Sequence, residues 1–402
     1  MPEAVIVATA RTPIGRAFKG SLVDLRPDDL TALIVRAALE KVPELDPHSV
    51  EDLIVGCGQP AGEAGFNVAR VAAVLAGLDD VPGVTVNRYC SSSLQTIRMA
   101  AHAIRASEGD VFVAAGVETV SRFGNGAADT GSAINPRFHD AIERTKARTP
   151  KVGEPWSPPT GLPDVYIAMG QTAENVAEFE KVSRREMDEF ALRSQELAVA
   201  HQKNGFFERE ITAVTTPEGT LVSKDDGPRD GTTLEKLQSL SPVFREGGTV
   251  TAGNACPLND GAAAVIVMSD TRAKELGITP LARIVASGVS GLNPEIMGLG
   301  PIEASRQALA RAGLSISDID LVEINEAFAA QVLPSAKHLE IPLEKLNIRG
   351  GAIALGHPFG MTGARIMTTL LNSLEDADKR FGLETMCVGG GQGMAMIVER
   401  LN

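Results

Sequence analysis

The sequence predicts an α/β fold with mostly parallel strands, built as two similar halves. Three observations predict it. Strand-like and helix-like segments alternate along the chain, which is the order that builds βαβ units. That alternation occurs twice, with matching element order and spacing. The chain also has 402 residues and is 44% hydrophobic, enough for two or three closely packed domains.

The first half opens on Ala4 to Ala8, an apolar run that reads as a buried strand. A helical stretch from Pro27 to Lys41 leads into Ser49 to Val55. Another precedes the apolar segment Gly83 to Val86. Cys90 follows, then a helix with Leu94, Ile97, Ala101 and Ile104 on one face, then the apolar run Val111 to Ala115. The second half repeats this order. A helical stretch from Pro301 to Ala312 leads into Ser317 to Val322, and another spans Phe328 to His338. Next come Ala352 to Leu355, His357, a helix carrying Ile366, Leu370 and Leu374, and Glu384 to Val388. An offset of 268 residues carries Asp52 onto Asp320 and Cys90 onto position 358, beside His357. Pseudo-twofold packing of the halves would bring those two places together.

Between the halves lies a different region. Residues 122 to 168 are rich in Gly, Pro and polar residues, a long excursion of the kind compact domains keep for function or assembly. Ser183 and Glu186 have capping-box spacing at the start of a helix with an apolar face from Met187 to Ala198. The region Ser223 to Gly248 is polar and loop-like, and Ala262 to Met268 returns to an apolar strand.

Composition excludes several classes. The net charge is -13, with no block of Lys or Arg, so the basic footprint of a nucleic-acid binder is missing. The longest apolar stretch, Ala262 to Met268, falls far short of the ~20 residues of a membrane span. Met1-Pro2-Glu3 does not resemble a signal peptide. Cys57, Cys90, Cys256 and Cys387 are widely spaced, which suggests free thiols in the cytosol or a similar reducing compartment.

Four segments could carry chemistry. Cys90 follows a strand and opens a helix, where N–H groups and the helix dipole favour a thiolate nucleophile. A small buried cysteine with Ser91, Ser92 and Ser93 as N-cap fits that position equally well. His357 lies among Gly350, Gly351, Gly356, Gly360 and Gly363, held near a helix start as a base near a thiol would be. The other five histidines have less distinctive settings. Cys387 is followed by Gly389, Gly390 and Gly391, whose N–H groups could hold an oxyanion or simply form a tight turn. Asn325, at a strand end, could position a water or cap a helix. One decoy, Gly56-Cys57-Gly58-Gln59-Pro60-Ala61, loosely fits a dinucleotide-binding turn, but Pro60 is awkward there and no acidic partner follows at the right spacing.

Taken together, the blocks Asn87 to Gln95, Met169 to Asn175, Thr249 to Ala264, Asn325 to Gln331, Gly350 to Arg365 and Cys387 to Ala395 resemble thiolases over nearly the whole chain. The resemblance implies two βαβαβαββ halves in five αβαβα layers with an inserted loop domain. Residues 1–121 with 249–270 would form the first half, 122–248 the CoA-binding loop domain, and 271–402 the second half. It implies reversible Claisen chemistry on CoA thioesters. Cys90 would carry the acyl group, with His357 activating it. His357 and Asn325, through a water, would form one oxyanion site, and the N–H groups of Cys90 and Gly389 a second. Cys387 would exchange the proton at the acetyl carbon. Arg229 would lie near the nucleotide, Ala252 and position 256 along the pantetheine arm, and Met169 and Phe328 beside the acyl and pantetheine path. Coenzyme A is then a substrate rather than a tightly bound cofactor, acyl-CoA and CoA are the partners, and a homodimer or homotetramer is expected.

Some positions depart from the family pattern. Cys256 stands where acetoacetyl-type members often have Ser, and Ala168 where they often have His, which leaves room for longer acyl chains. Ser93 and Arg349 replace a common Gly and Asn. The rival readings are a ketoacyl synthase-type condensing enzyme, which typically lacks the second cysteine, and a non-catalytic CoA- or lipid-binding member, which would have lost catalytic positions.

Overall fold

The computed structural model describes residues 2–128, 133–148 and 155–402. The excursion of residues 122–168 is therefore covered except at 129–132 and 149–154, which lie outside the described residues. The main sheet contains β1 (Ala4–Arg11), β2 (Asp52–Gly56), β3 (Gly83–Val86), β4 (Val111–Thr119), β5 (Asn259–Ser269), β6 (Ala282–Gly291), β7 (Leu321–Ile324), β8 (Phe381–Val388) and β9 (Gln392–Arg400). Their order in space is β7-β8-β9-β6-β1-β5-β4-β2-β3.

The internal repeat is visible in that order. Each half places its first strand beside its last, then its penultimate strand, then its second. The halves meet edge to edge through the pairs Val5–Arg283 and Ile6–Ala282. Two expectations need correction. The sheet is mixed rather than mostly parallel: β2 runs parallel to β3 and β4, and β7 to β8, but β1, β5, β6 and β9 pair antiparallel with their neighbours. The cause is the connection between strands. The loop Gly389–Gly391 is too short for a crossover, so β8 and β9 must form a hairpin. The repeat is also incomplete. Ala352–Leu355, which stands where the first half has β3, is a helical turn. Gly350, at φ +81°, sets up that turn, and the Glu326 carboxylate accepts the Ile353 N–H at 3.1 Å. The missing strand is reduced to a parallel bridge between Val322 and Leu346.

Three cores define the layers. Helices Pro27–Leu39 and Val68–Leu75 cover the outer face of the first half with residues such as Leu30, Val35 and Val68. Helices Ser92–Arg105 and Thr362–Asp376 lie together between the halves, sharing Leu94, Ile97, Ile366 and Leu370 with the inner faces of both. Helices Gly300–Ala312 and Ala329–His338 cover the outer face of the second half. Residues Met169–Glu180 and Arg184–Lys203 form helices that join this third core through Ala173, Met187 and Phe190. The expected Ser183–Glu186 capping box is present.

The two central helices approach without space for side chains. A Cβ on Gly363 would lie 2.3 Å from the Leu94 nitrogen; where β4 meets the loop before the second of these helices, one on Gly116 would lie 2.0 Å from the Gly360 oxygen. Ser93 Oγ accepts the Ala364 N–H at 2.9 Å across the same contact. Gly363→Ala is therefore expected to lower stability by about 1–3 kcal/mol, the usual cost of overpacking. A denaturant midpoint equal to that of the unaltered chain would contradict this.

Candidate active site

Cys90 lies in a single 3-10 turn, Tyr89–Ser91, between β3 and the Ser92–Arg105 helix. Tyr89 is held at φ +43°, a strained conformation for a bulky residue, and its N–H is taken by Asn87 Oδ1 at 2.8 Å. The three serines do not cap the helix with a side chain. Ser92 Oγ instead accepts the Arg88 N–H and donates to the Tyr89 carbonyl, closing the turn, while Ser93 ties it to the second half. The nearby N–H groups of Gly389 and of Cys90 itself favour the charged form of the Cys90 sulfur. Burial outweighs them and pushes the thiol up to about 11, so the expectation of a resting thiolate is corrected.

His357 is buried between Ala352–Leu355 and the Thr362–Asp376 helix. Its Nδ1 lies 2.6 Å from Thr362 Oγ1, and that hydroxyl donates its one proton to the Pro358 carbonyl at 2.7 Å. Nδ1 must therefore carry the ring proton, which leaves the Nε2 lone pair towards Asn325 Nδ2, 3.3 Å away. The His357 N–H donates to Asn259 Oδ1 at 3.0 Å, and Asn259 Nδ2 donates to the Gly15 carbonyl. Burial, reinforced by the Arg365 guanidinium, presses the imidazole down to about 3, so it is neutral. Asn325 is not a helix cap, since Phe328 holds that position. Gln331 donates to its carbonyl at 2.6 Å, and its Oδ1 is buried without a partner.

Cys387 is fully buried near the end of β8, and burial holds its thiol well above the usual range, with Cys90 and Cys256 adding to the effect. The turn that follows uses Gly390 and Gly391 at φ +74° and +77°, so the tight-turn reading of these glycines holds. Among the described residues no hydrogen bond joins Cys90 directly to His357. Catalytic contacts often tighten only around a bound substrate.

A cleft of about 400 Å³ opens over Cys90, lined by Tyr89, Ile167, Ala168, Met169, Phe359 and Gly389 among others. A second cavity, of about 60 Å³, brings Arg229 and Ala252 together with Arg16, Gln195 and Pro257. Cys256 and Phe328 line neither. Their segments are joined by an isolated antiparallel bridge between Ala255 and Phe328, and Phe328 meets Phe244 edge-on at 6.1 Å. All four cysteines are free, and among the described residues no cluster of His, Cys, Asp or Glu could hold a metal ion. None of the described helices is long and apolar enough to cross a membrane.

Three positions were missed by reading the sequence: Thr362, Asn259 and Glu118. Glu118 is buried in β4 and accepts the N–H groups of Gly58 at 2.8 Å, Gln59 at 3.1 Å and Gly360 at 2.8 Å. It thereby joins two loops that line the Cys90 cleft. The Gly58 and Gln59 N–H groups are then occupied by a carboxylate, which removes the dinucleotide reading of that turn. A charged residue just past the apolar run Val111 to Ala115 was the available signal.

A buried cysteine beside backbone donors, with a neutral histidine that packs on Phe359 of the same cleft and lies within hydrogen-bond reach of an amide, is the equipment of an acyl-transferring enzyme. The chain matches "Thiolase, N-terminal domain" over residues 4–271 and "Thiolase, C-terminal domain" over residues 278–400. It is 44% identical over all of both chains to the 3-oxoadipyl-CoA/3-oxo-5,6-dehydrosuberyl-CoA thiolase of Escherichia coli (strain K12). It is equally similar, over the same extent, to a 3-ketoacyl-CoA thiolase of Aeromonas hydrophila subsp. hydrophila. The crystal structure of the Bacillus anthracis acetyl-CoA acetyltransferase superposes with a TM-score of 0.86 at 39% identity, covering 100% of this chain and 99% of that one. The chain belongs to the thiolase family. It is a CoA-dependent acyltransferase, catalysing reversible thiolytic cleavage of 3-ketoacyl-CoA or the corresponding condensation.

Burial pushes Glu118 up to about 7, against the N–H groups that favour its charged form. An unfolded glutamate titrates near about 4.3. Between those values the folded state holds a proton that the unfolded chain releases, so this contribution to stability is fully present below the lower value and lost as pH rises through about 7. Glu118→Gln cannot titrate. Urea midpoints at pH 5 and pH 8 should therefore fall less for the variant than for the unaltered chain, and parallel falls would contradict the assignment.

Proposed function

We propose that the acyl group is carried on Cys90 and that the other site residues divide the work as follows. The Nε2 lone pair of His357 takes the Cys90 proton as the sulfur attacks the 3-keto carbonyl. The bond to the acetyl carbon breaks, acetyl-CoA leaves as an enolate, and Cys387 protonates that carbon. The shortened acyl group remains as a thioester on Cys90 until the thiol of free CoA attacks it; the CoA proton passes to the Cys387 thiolate, and His357 returns its proton to the Cys90 sulfur as that bond breaks. Charge develops on two different oxygens in these steps, so two sets of donors are needed. The N–H groups of Cys90 and Gly389 serve the acyl oxygen. His357, once protonated at Nε2, and a water held by Asn325 serve the thioester oxygen. The unpartnered, buried Oδ1 of Asn325 supports that role.

The observation that carries this reading is that Cys90 and Gly389 line one cleft of about 400 Å³ together with apolar residues such as Ile167 and Met169. Coenzyme A is a substrate here rather than a resident cofactor. Arg229 lies near its nucleotide, Ala252 and Cys256 along the pantetheine arm, and Met169 and Phe328 beside the acyl path. Residues 122–248 act as the loop domain that holds CoA, between a first half of 1–121 and 249–270 and a second half of 271–402. The protein works in the cytoplasm as a homodimer or homotetramer, with acyl-CoA and CoA as its partners.

Two outcomes test this. Cys90→Ser should lower kcat for thiolysis by at least about 10³-fold, the scale of losing a nucleophile, and near-normal turnover would refute the assignment. The cleft walls at Val165, Ile167, Ala168, Met169 and Phe359 are apolar. Across a series from acetoacetyl-CoA to 3-ketopalmitoyl-CoA, kcat/KM should therefore rise above the acetoacetyl value for longer chains. A steady decline from acetoacetyl-CoA would mark a short-chain enzyme instead.

A further inference from the structure

Several buried arginines of this acidic chain are paired with carboxylates, Arg11 with Glu210 and Asp225, Arg245 with Glu178, and Arg349 with Asp376, although the guanidinium of the fully buried Arg365 has no hydrogen-bond partner among the described residues. Arg16, half-buried, and Arg229, exposed, are not paired either. Both line the cavity of about 60 Å³ beside Ala252. Among the described residues neither guanidinium makes a hydrogen bond or ion pair; only their backbone groups do. The acids nearest in sequence are committed elsewhere. Asp225 is held by Arg11 and the Ile14 N–H. Asp226 Oδ2 accepts the backbone N–H groups of Arg16 and Ser21. Asp230 pairs with Lys203 at 2.5 Å. Loss of solvent and, after it, the neighbouring Arg16 disfavour the charge on Arg229.

Two like charges lining one cavity, with no carboxylate paired to either, favour an anion between them. Phosphate suits the planar fork of arginine better than a single point charge would. We infer that Arg16 is a second phosphate-binding residue, closing with Arg229 as a two-arginine clamp on a phosphate of coenzyme A. This rests on the reading of the chain as an enzyme that binds CoA through Arg229.

The clamp is also tied to the catalytic base. Gly15–Arg16 pairs with Asn259–Asp260 of β5, and the Asn259 side chain holds the Gly15 carbonyl on one side and the His357 N–H on the other. One asparagine thus fixes the distance between the phosphate anchor and the imidazole.

The experiment is thiolysis of one 3-ketoacyl-CoA with three acceptor thiols: CoA, dephospho-CoA and pantetheine. Arg16→Gln should raise the apparent KM for CoA about tenfold or more, the scale of a lost charge-assisted contact. It should change the KM for pantetheine by less than about twofold, with kcat for CoA largely kept, and Arg16→Lys should recover part of the loss. If the effect persists with dephospho-CoA, the clamped group is the pyrophosphate; if it vanishes there, it is the 3′-phosphate. Either outcome supports the clamp. An equal rise for CoA and pantetheine, or no rise for CoA, overturns it. Failure of the unaltered protein to use any of the three thiols would instead overturn the underlying reading of the site.

Discussion

The site depends on the contact between the two central helices at their N-terminal ends. Gly363 lies against Leu94, and the Ser93 hydroxyl accepts the Ala364 N–H. The loops just before these helices carry Cys90 and His357. Neither loop could hold its residue in register with the other if the helices stood one side chain further apart. Each half alone has a sheet and covering helices, but the reacting groups come from both. Pseudo-symmetry therefore has a chemical use: equivalent places in two copies of one unit carry different side chains, a thiol in one and an imidazole in the other.

Electrostatics then set the resting state. A thiol pushed up to about 11 and an imidazole pressed down to about 3 are both neutral at ordinary pH. Moving the proton between them in an empty site is strongly uphill, because it creates two buried charges. The N–H groups of Cys90 and Gly389 and the Asn325 amide are fixed in place before any charge exists. Their stabilisation is realised when the negative charge passes from sulfur to a substrate oxygen, which is where preorganised donors act most strongly. Thr362 contributes by holding the ring proton on Nδ1, so that Nε2 is the basic atom.

Much of this was legible in the sequence, for physical reasons. Helix and strand periodicity is local, so the repeat could be read from Pro27 to Val388. Cys90, His357, Cys387 and Asn325 stand beside glycines or at strand-to-helix junctions, and such junctions are short-range patterns. What was not legible depends on distant partners. Glu118 meets Gly58, 60 residues before it, and Gly360, 242 residues after it. Strand direction in the sheet follows from connection lengths, and the helical turn at Ala352–Leu355 from a buried carboxylate on another segment. The Cys90 thiol was misjudged because a helix N-terminus is local information, whereas the burial that outweighs it belongs to the whole fold. Arg16 gave no signal at all, since an unmatched charge can be recognised only once every possible match has been placed.

The neutral, buried sulfur has a consequence beyond catalysis. Peroxide attacks thiolates far faster than thiols, and sulfenic acid formation follows the population of the anion. A nucleophile that remains protonated until a thioester arrives is shielded from such damage between turnovers. The same burial that makes the empty site a poor base–thiol pair thus lengthens the chemical lifetime of the one atom the enzyme cannot replace.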